Sequence, residues 1–284
     1  MTTKKYKIPT IVLLLLLCTT IQMNAQINWK RKEPVNELPL QLFHSQHSIN
    51  LPTAEMLQKG AFEFEISHRF LPSIKGGFKD LFGFDGPVNI RLALGYAVTD
   101  NLFIALGRSN VDDNVDFRVK YRLFQFDNDI FPLIVGARAG VGWNSDPIGK
   151  TEGGSRDFQY YGQLIFNTMI DKKLGIGLVP SYLYNSNIYR SDIQDSFTMG
   201  INLQYYISHL LSVMAEFNPT VSGYRNRFDS FSAGIELETG GHFFKIIVTN
   251  NSLLNPSQFL AGADRRFEDG AWRIGFNITR LLKF

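Results

Sequence analysis

From Asp116 to Arg122 every second residue is charged: Asp116, Arg118, Lys120 and Arg122. Val115, Phe117, Val119, Tyr121 and Leu123 occupy the positions between and beside them. Such a row of ionisable groups can line a path for ions and polar solutes, or it can knit a buried salt-bridge network. Either chemistry needs all four groups on one face. An extended strand provides that, because its side chains alternate between two faces. The same spacing places Glu63, Glu65 and Arg69 together, and it assigns Arg91, Arg138, Glu216, Glu236, Glu238 and Arg273 to equivalent positions. Acids collect early and late in the chain, and bases in the middle. Charge so segregated sets up a transverse field rather than a ring of one sign, which disfavours strong ion selectivity.

Other candidates are weaker. His68 alternates with Phe62, Phe64, Ile66 and Phe70, so it falls on the apolar face of its strand. A histidine there could serve a nucleophilic serine only with the two in hydrogen-bond reach. Ser67 points to the other face, so no catalytic residue is expected. His44 and His47 have a spacing that can hold a metal on a helix. No third ligand is close in sequence, and the segment reads as polar chain with no metal and no cofactor. Leu81, Phe82 and Phe84 are large apolar residues in an otherwise polar loop, where exposure is unfavourable. The expectation is that they fold inward as a lid.

The positioning elements are strands. Counting back from Phe284, Leu282, Ile278, Phe276, Ile274 and Trp272 share one face, with Arg280 among them; Lys283, Thr279, Asn277, Gly275 and Arg273 share the other. From Ala61 on, about ten alternating residues and a turn recur, giving about twelve strands. Short turns (Thr99–Asn101, Asp127–Asp129, Asp171–Lys173, Ser208–His209, Thr239–His242) alternate with mostly longer loops. Strands oily on one face and polar on the other, joined this way, predict an all-β transmembrane antiparallel up-and-down β-barrel over 61–284. Lipid covers the outside and the charged residues face the lumen.

The N-terminus reads as a secretory signal over 1–25: Lys4, Lys5 and Lys7, then an apolar run too short to span a bilayer, then Met23-Asn24-Ala25. Cys18 is the only cysteine, so the mature chain has neither a disulfide framework nor a thiolate metal site. The chain has 29 basic and 26 acidic residues, and the leader holds three bases and no acid, so the mature protein is neutral. Nothing here points to nucleic acid. Residues 26–60, punctuated by Pro34 and Pro39, read as a periplasmic segment with a short helix capped by Thr53, running through Met56 and Leu57 to Gly60.

Several motifs together resemble an uncharacterised, domain-of-unknown-function family of bacterial outer-membrane β-barrel proteins. They are Glu65-Ile66-Ser67-His68-Arg69-Phe70, Leu81-Phe82-Gly83-Phe84-Asp85-Gly86 before Asn89-Ile90-Arg91, Glu238-Thr239-Gly240-Gly241-His242, and Gly275-Phe276-Asn277-Ile278-Thr279-Arg280. The resemblance runs from Pro52 to Phe284. It implies the barrel and an outer-membrane, Gram-negative setting, and it brings no activity. Phe284 resembles the terminal aromatic signal read by the barrel-assembly machinery.

The sequence therefore leads to a porin-like barrel in outer-membrane lipid. Its function is expected to be a narrow channel or docking site for a small polar solute, with Arg91, Arg118, Lys120 and Arg138 facing Glu63, Glu65, Glu236 and Glu238 across the lumen. The alternative is a plugged, structural barrel that presents loops to a partner. A hydrolase is the remote alternative.

Overall fold

The computed structural model describes residues 40–147 and 155–283. The signal segment, residues 26–39 and the terminal Phe284 lie outside the described residues.

The strands are β1 (Phe62–Phe70), β2 (Val88–Thr99), β3 (Leu102–Ser109), β4 (Asn114–Phe126), β5 (Leu133–Asn144), β6 (Phe158–Ile170), β7 (Leu174–Tyr184), β8 (Asp195–Tyr206), β9 (Leu211–Asn218), β10 (Thr220–Gly223), β11 (Ser230–Glu238), β12 (His242–Thr249) and β13 (Arg273–Leu282). All pairings are antiparallel, and β1 pairs with β13 to close the wall. β10 continues the line of β9 beyond Pro219, and both pair with β8. The wall is thus a closed barrel of twelve strands plus one short extra strand. Closure gives each of the twelve wall strands a partner on both sides, which a bilayer requires.

Burial follows the two-residue period. On β4, Asp116, Arg118, Lys120 and Arg122 are buried while Phe117, Tyr121 and Leu123 are exposed. Elsewhere Leu94, Leu106, Trp143, Leu164, Tyr182, Leu203, Phe244 and Ile246 face outward. These exposed apolar side chains form the lipid face. The Thr239–His242 hairpin turns on Gly240 and Gly241, with φ of 64° and 94°. Both are left-handed angles that glycine adopts without penalty.

The chain before β1 differs from expectation. It is not a lead-in below the barrel: from Leu42 to Glu55 it is buried against lumen-facing side chains of the wall. The helix through Met56 and Leu57 is not formed, and the segment is irregular, with one internal bridge from His47 to Pro52. A helix would hide its own N–H and C=O groups, whereas here the wall takes them.

A second intruder comes from the long loop after β12. Residues 250–263 turn into the barrel with one helical turn, Pro256–Phe259, all buried. Asn255 Nδ2 donates to Asn114 O at 2.9 Å, and Gln258 Nε2 donates to Val111 O at 3.0 Å. Phe259, Leu260 and Ala261 join Leu42, Phe43, Leu51 and Ala54 in one apolar cluster with Ile134, Tyr161, Ile165, Val179 and Leu183 of the wall.

Leu81, Phe82 and Phe84 do not form the expected lid. They lie about half-exposed in the irregular stretch around Ile74–Gly83, and the Phe84 ring meets Phe70 edge-on at 4.9 Å. Phe70 belongs to the outward series of β1, so this loop finds its apolar contact outside the barrel. Residues 250–263 take the inward place.

Candidate functional site

The site is the occupied lumen, and its chemistry is the grip of the wall on residues 42–55. Glu216, facing inward from β9, accepts hydrogen bonds from the backbone N–H groups of Ile49 (2.6 Å), Asn50 (2.9 Å) and Leu51 (2.8 Å). Lys245 on β12 donates to the carbonyls of His47 and Ser48, both at 2.5 Å, and pairs with Glu236 at 3.2 Å. Lys120 on β4 donates to Thr53 O at 3.2 Å and Glu55 O at 2.6 Å. Asn167 on β6 accepts from Ala54 N at 2.6 Å, and Asn277 on β13 donates to Ile49 O at 2.9 Å. Buried backbone polar groups must find partners, and this irregular segment finds them on the barrel.

Side chains of the segment join in. Arg138 Nη1 lies 3.1 Å from His47 Nε2 while its Nε donates to Gln163. Gln46 donates to Glu63 at 3.2 Å, and Arg69 donates to Asn50 Oδ1 at 2.9 Å. His44 Nδ1 stands 3.1 Å from Glu236. Burial, and then the neighbouring Arg118, hold the His47 imidazole well below its ordinary pKa, so it is neutral at pH 7. Burial raises the carboxyl of Glu55, against hydrogen bonds from Leu42 and Phe43 that lower it.

The lumen has two halves. Glu65 ties Arg91 (2.7 Å) and Arg118 (3.2 Å), and Arg91 also reaches Asp116 (3.1 Å). Across from this charged wall, the described inner faces of β6, β7 and β8 carry Gln159, Gln163, Asn167, Ser181, Asn202 and Gln204 and no charged residue. Asn167, Gly177, Asn202 and Glu216 form one continuous rung through β6–β9.

Of the residues expected to line the lumen, Glu63, Arg91, Arg118, Lys120, Arg138 and Glu236 are buried there, and Glu65 joins them through its pairs with Arg91 and Arg118. Bases and acids meet in part directly and in part through the inserted segment, rather than across open space. Glu238 is different. It sits at the end of β11, and its Oε1 accepts from Gly240 N and Gly241 N, capping the short turn. Lys245 was missed, although its place between Phe244 and Ile246 marks it as inward.

His68 lies on the outer side and stacks on Phe276, its register partner, at 4.3 Å. The fold does bring acids to His47: its ligand atoms and those of Glu63 and Glu65 lie within 4.8 Å of one another. The protein's own cations already serve that cluster, with Arg91 and Arg118 on Glu65 and Arg138 on His47. The donor set therefore fits a metal ion poorly.

A closed antiparallel wall with an apolar outside and a polar inside defines an outer-membrane β-barrel. The chain belongs to the family described as a membrane-bound beta-barrel domain (DUF5777), whose model matches residues 43–282. No curated protein matches the sequence. Among solved structures, the NanC porin is 9% identical, with 78% of this chain and 99% of that chain covered and a TM-score of 0.46. The COG4313 outer membrane channel from Pseudomonas putida F1 is 13% identical, with 81% and 98% covered and a TM-score of 0.47. The Acinetobacter baumannii outer membrane protein Omp33 is 12% identical, with 81% and 100% covered and a TM-score of 0.41.

Proposed function

We propose that this barrel is a channel for a small polar solute, closed by its own residues 42–55 and opened when that segment shifts. One observation carries the reading. The segment adds no strand to the wall; among the described residues its one bridge is internal, from His47 to Pro52. It can therefore leave without breaking any inter-strand ladder. Its polar contacts with the wall are hydrogen bonds, each worth about 0.5–1.5 kcal/mol net and more where one partner is charged, and it would also give up the apolar contacts of Leu42, Phe43, Leu51 and Ala54.

A permanently plugged barrel is the second reading. It is favoured by the apolar cluster that joins Leu42, Phe43 and Leu51 to the wall and to Phe259–Ala261. Each such buried side chain contributes about 1.5–3 kcal/mol. A non-enzymatic role is supported by the setting of His68, whose register partners are Phe276 and Ile90 rather than a nucleophile. Assembly through Phe284 by the barrel-assembly machinery belongs to the same proposal.

A reversible tether separates the readings. Asn50 Nδ2 lies 3.3 Å from Ser232 Oγ, and the mature chain is free of other cysteines. With Asn50→Cys and Ser232→Cys, oxidation pins the segment to β11. The channel reading expects conductance bursts in a planar bilayer when the pair is reduced and silence when it is oxidised. Silence in both states supports the permanent plug. Equal conductance in both states would show that ions do not pass where the segment lies.

A further inference from the structure

We infer that the lumen wall is a binding surface for bent, non-helical peptide backbone, that residues 42–55 are its built-in occupant, and that the solute admitted when they withdraw is an oligopeptide. This rests on the gated reading above and names the solute class.

The grip is directed at main-chain atoms. Glu216 takes three successive N–H groups, those of Ile49, Asn50 and Leu51. Asn167 takes the N–H of Ala54. Lys120, Lys245 and Asn277 donate to the carbonyls of residues 47, 48, 49, 53 and 55. Tyr206 does both: its hydroxyl accepts from His44 N at 3.1 Å and donates to Leu42 O at 3.2 Å. The wall supplies both acceptors for N–H groups and donors for C=O groups along the segment, the two groups that any peptide carries. An inorganic ion offers no such combination. A polyol offers hydroxyls, but no run of three N–H donors to match one carboxylate.

The built-in occupant is an imperfect fit. On the rung shared with Glu216 and Asn167, Asn202 is fully buried, and neither its amide nitrogen nor its oxygen has a hydrogen-bond partner. Glu216 holds the occupant up to Leu51 and Asn167 holds it from Ala54, so Asn202 lies between the two grips. The intervening residues are Pro52 and Thr53. Proline has no N–H, and Thr53 N already donates to Gln46 O at 2.9 Å. The occupant therefore has no free N–H to offer Asn202. An unpaired buried amide is unfavourable. A peptide with a free N–H at that point would satisfy the Asn202 oxygen, and so could displace the resident segment.

The test uses the full-length protein with Asn50→Cys and Ser232→Cys in lipid nanodiscs, and a synthetic peptide of residues 42–55 carrying a photo-crosslinker at its N-terminus. The peptide should label the reduced protein and fail to label the oxidised one. N-methylation of the peptide at Ile49, Asn50 and Leu51 removes the three donors and keeps every side chain. It should weaken labelling about tenfold or more. The peptide with Pro52→Ala should label at lower concentration than the parent. Raffinose, a neutral polyol, should not compete. Equal labelling by the N-methylated peptide, or displacement by raffinose, would overturn the inference. Conductance bursts from the reduced protein without peptide capture would sink it and leave the gated channel standing. A reduced protein that is both silent and unlabelled would remove both.

Discussion

Lys120 and Arg138 are register partners on β4 and β5, two buried cations side by side in the barrel wall. Like charges directly opposite destabilise a sheet unless something intervenes. Here the inserted segment does: Lys120 is drawn to the carbonyls of Thr53 and Glu55, and Arg138 turns to Gln163 and His47. The two charges are compatible because the lumen is occupied.

Replacing both with Glu tests that arrangement. In a water-filled pore the change would alter ion selectivity and leave the fold intact, since contact charges in water interact by only about 1 kcal/mol. In the occupied lumen the new carboxylates face backbone carbonyls and lie near Glu63. Removing one partner from a buried charge pair costs about 3–5 kcal/mol, and a loss of that order is expected here. The heat-modifiability midpoint of the Lys120→Glu, Arg138→Glu protein should fall well below that of the parent. An unchanged midpoint with shifted reversal potential would argue for water around these side chains.

The two faces of β4 should respond in opposite ways. Val119 faces lipid, and Val119→Arg should destabilise insertion by about 2–4 kcal/mol if it lies near the midplane. Arg118→Val removes one of the two cations on Glu65 and leaves Arg91 there at 2.7 Å. That variant should still insert. The amount of folded protein in outer-membrane fractions measures both. Equal behaviour would show that the strand's faces are interchanged.

Acid should favour release of the segment. His47 is held neutral by burial and by Arg118, Arg138 and Lys120, with Glu65 opposing them. Released into water, its imidazole regains a pKa of about 6.5. At this site the released state binds more protons, so the His47 contribution favours closure above about pH 6.5 and is lost as pH falls below it, while the raised carboxyl of Glu55 works in the opposite sense. Amide exchange at residues 49–51 should speed up from pH 7.5 to 5.5 after correction for intrinsic rates. His47→Gln should flatten the response. The same pH response in the parent and in His47→Gln would refute the role of His47.

Most of the wall was legible because its signal is local: a two-residue period needs only the strand itself. Asp116 to Arg122 announces an inner face without knowledge of any partner. Glu238 was misplaced because it stands where the period ends and the turn begins. Residues 42–55 were illegible for a different reason. They have no period, and what orders them lies far along the chain: Lys120 is 65 residues from Glu55, and Asn277 is 228 from Ile49. Residues 250–263 fall in a long connector with no period, and they are rich in Asn and Ser. The Asn255 amide is buried and satisfied by Arg91 and Asn114 of the wall, and Asn89 donates to the Ser252 carbonyl. Phe84 was expected to need an interior, but Phe70 on the outer face serves instead.

The closure of β1 on β13 sets an order of events during biogenesis. Residues 42–55 leave the ribosome before any strand, yet their partners on β9, β12 and β13 are made last. The segment must wait, unpartnered, until nearly the whole wall exists. Contacts of such long sequence separation form slowly. The seam between the first and last strands therefore closes at the stage when the segment's partners on β9, β12 and β13 first stand together, so sealing the wall and seating its stopper draw on the same late-made strands.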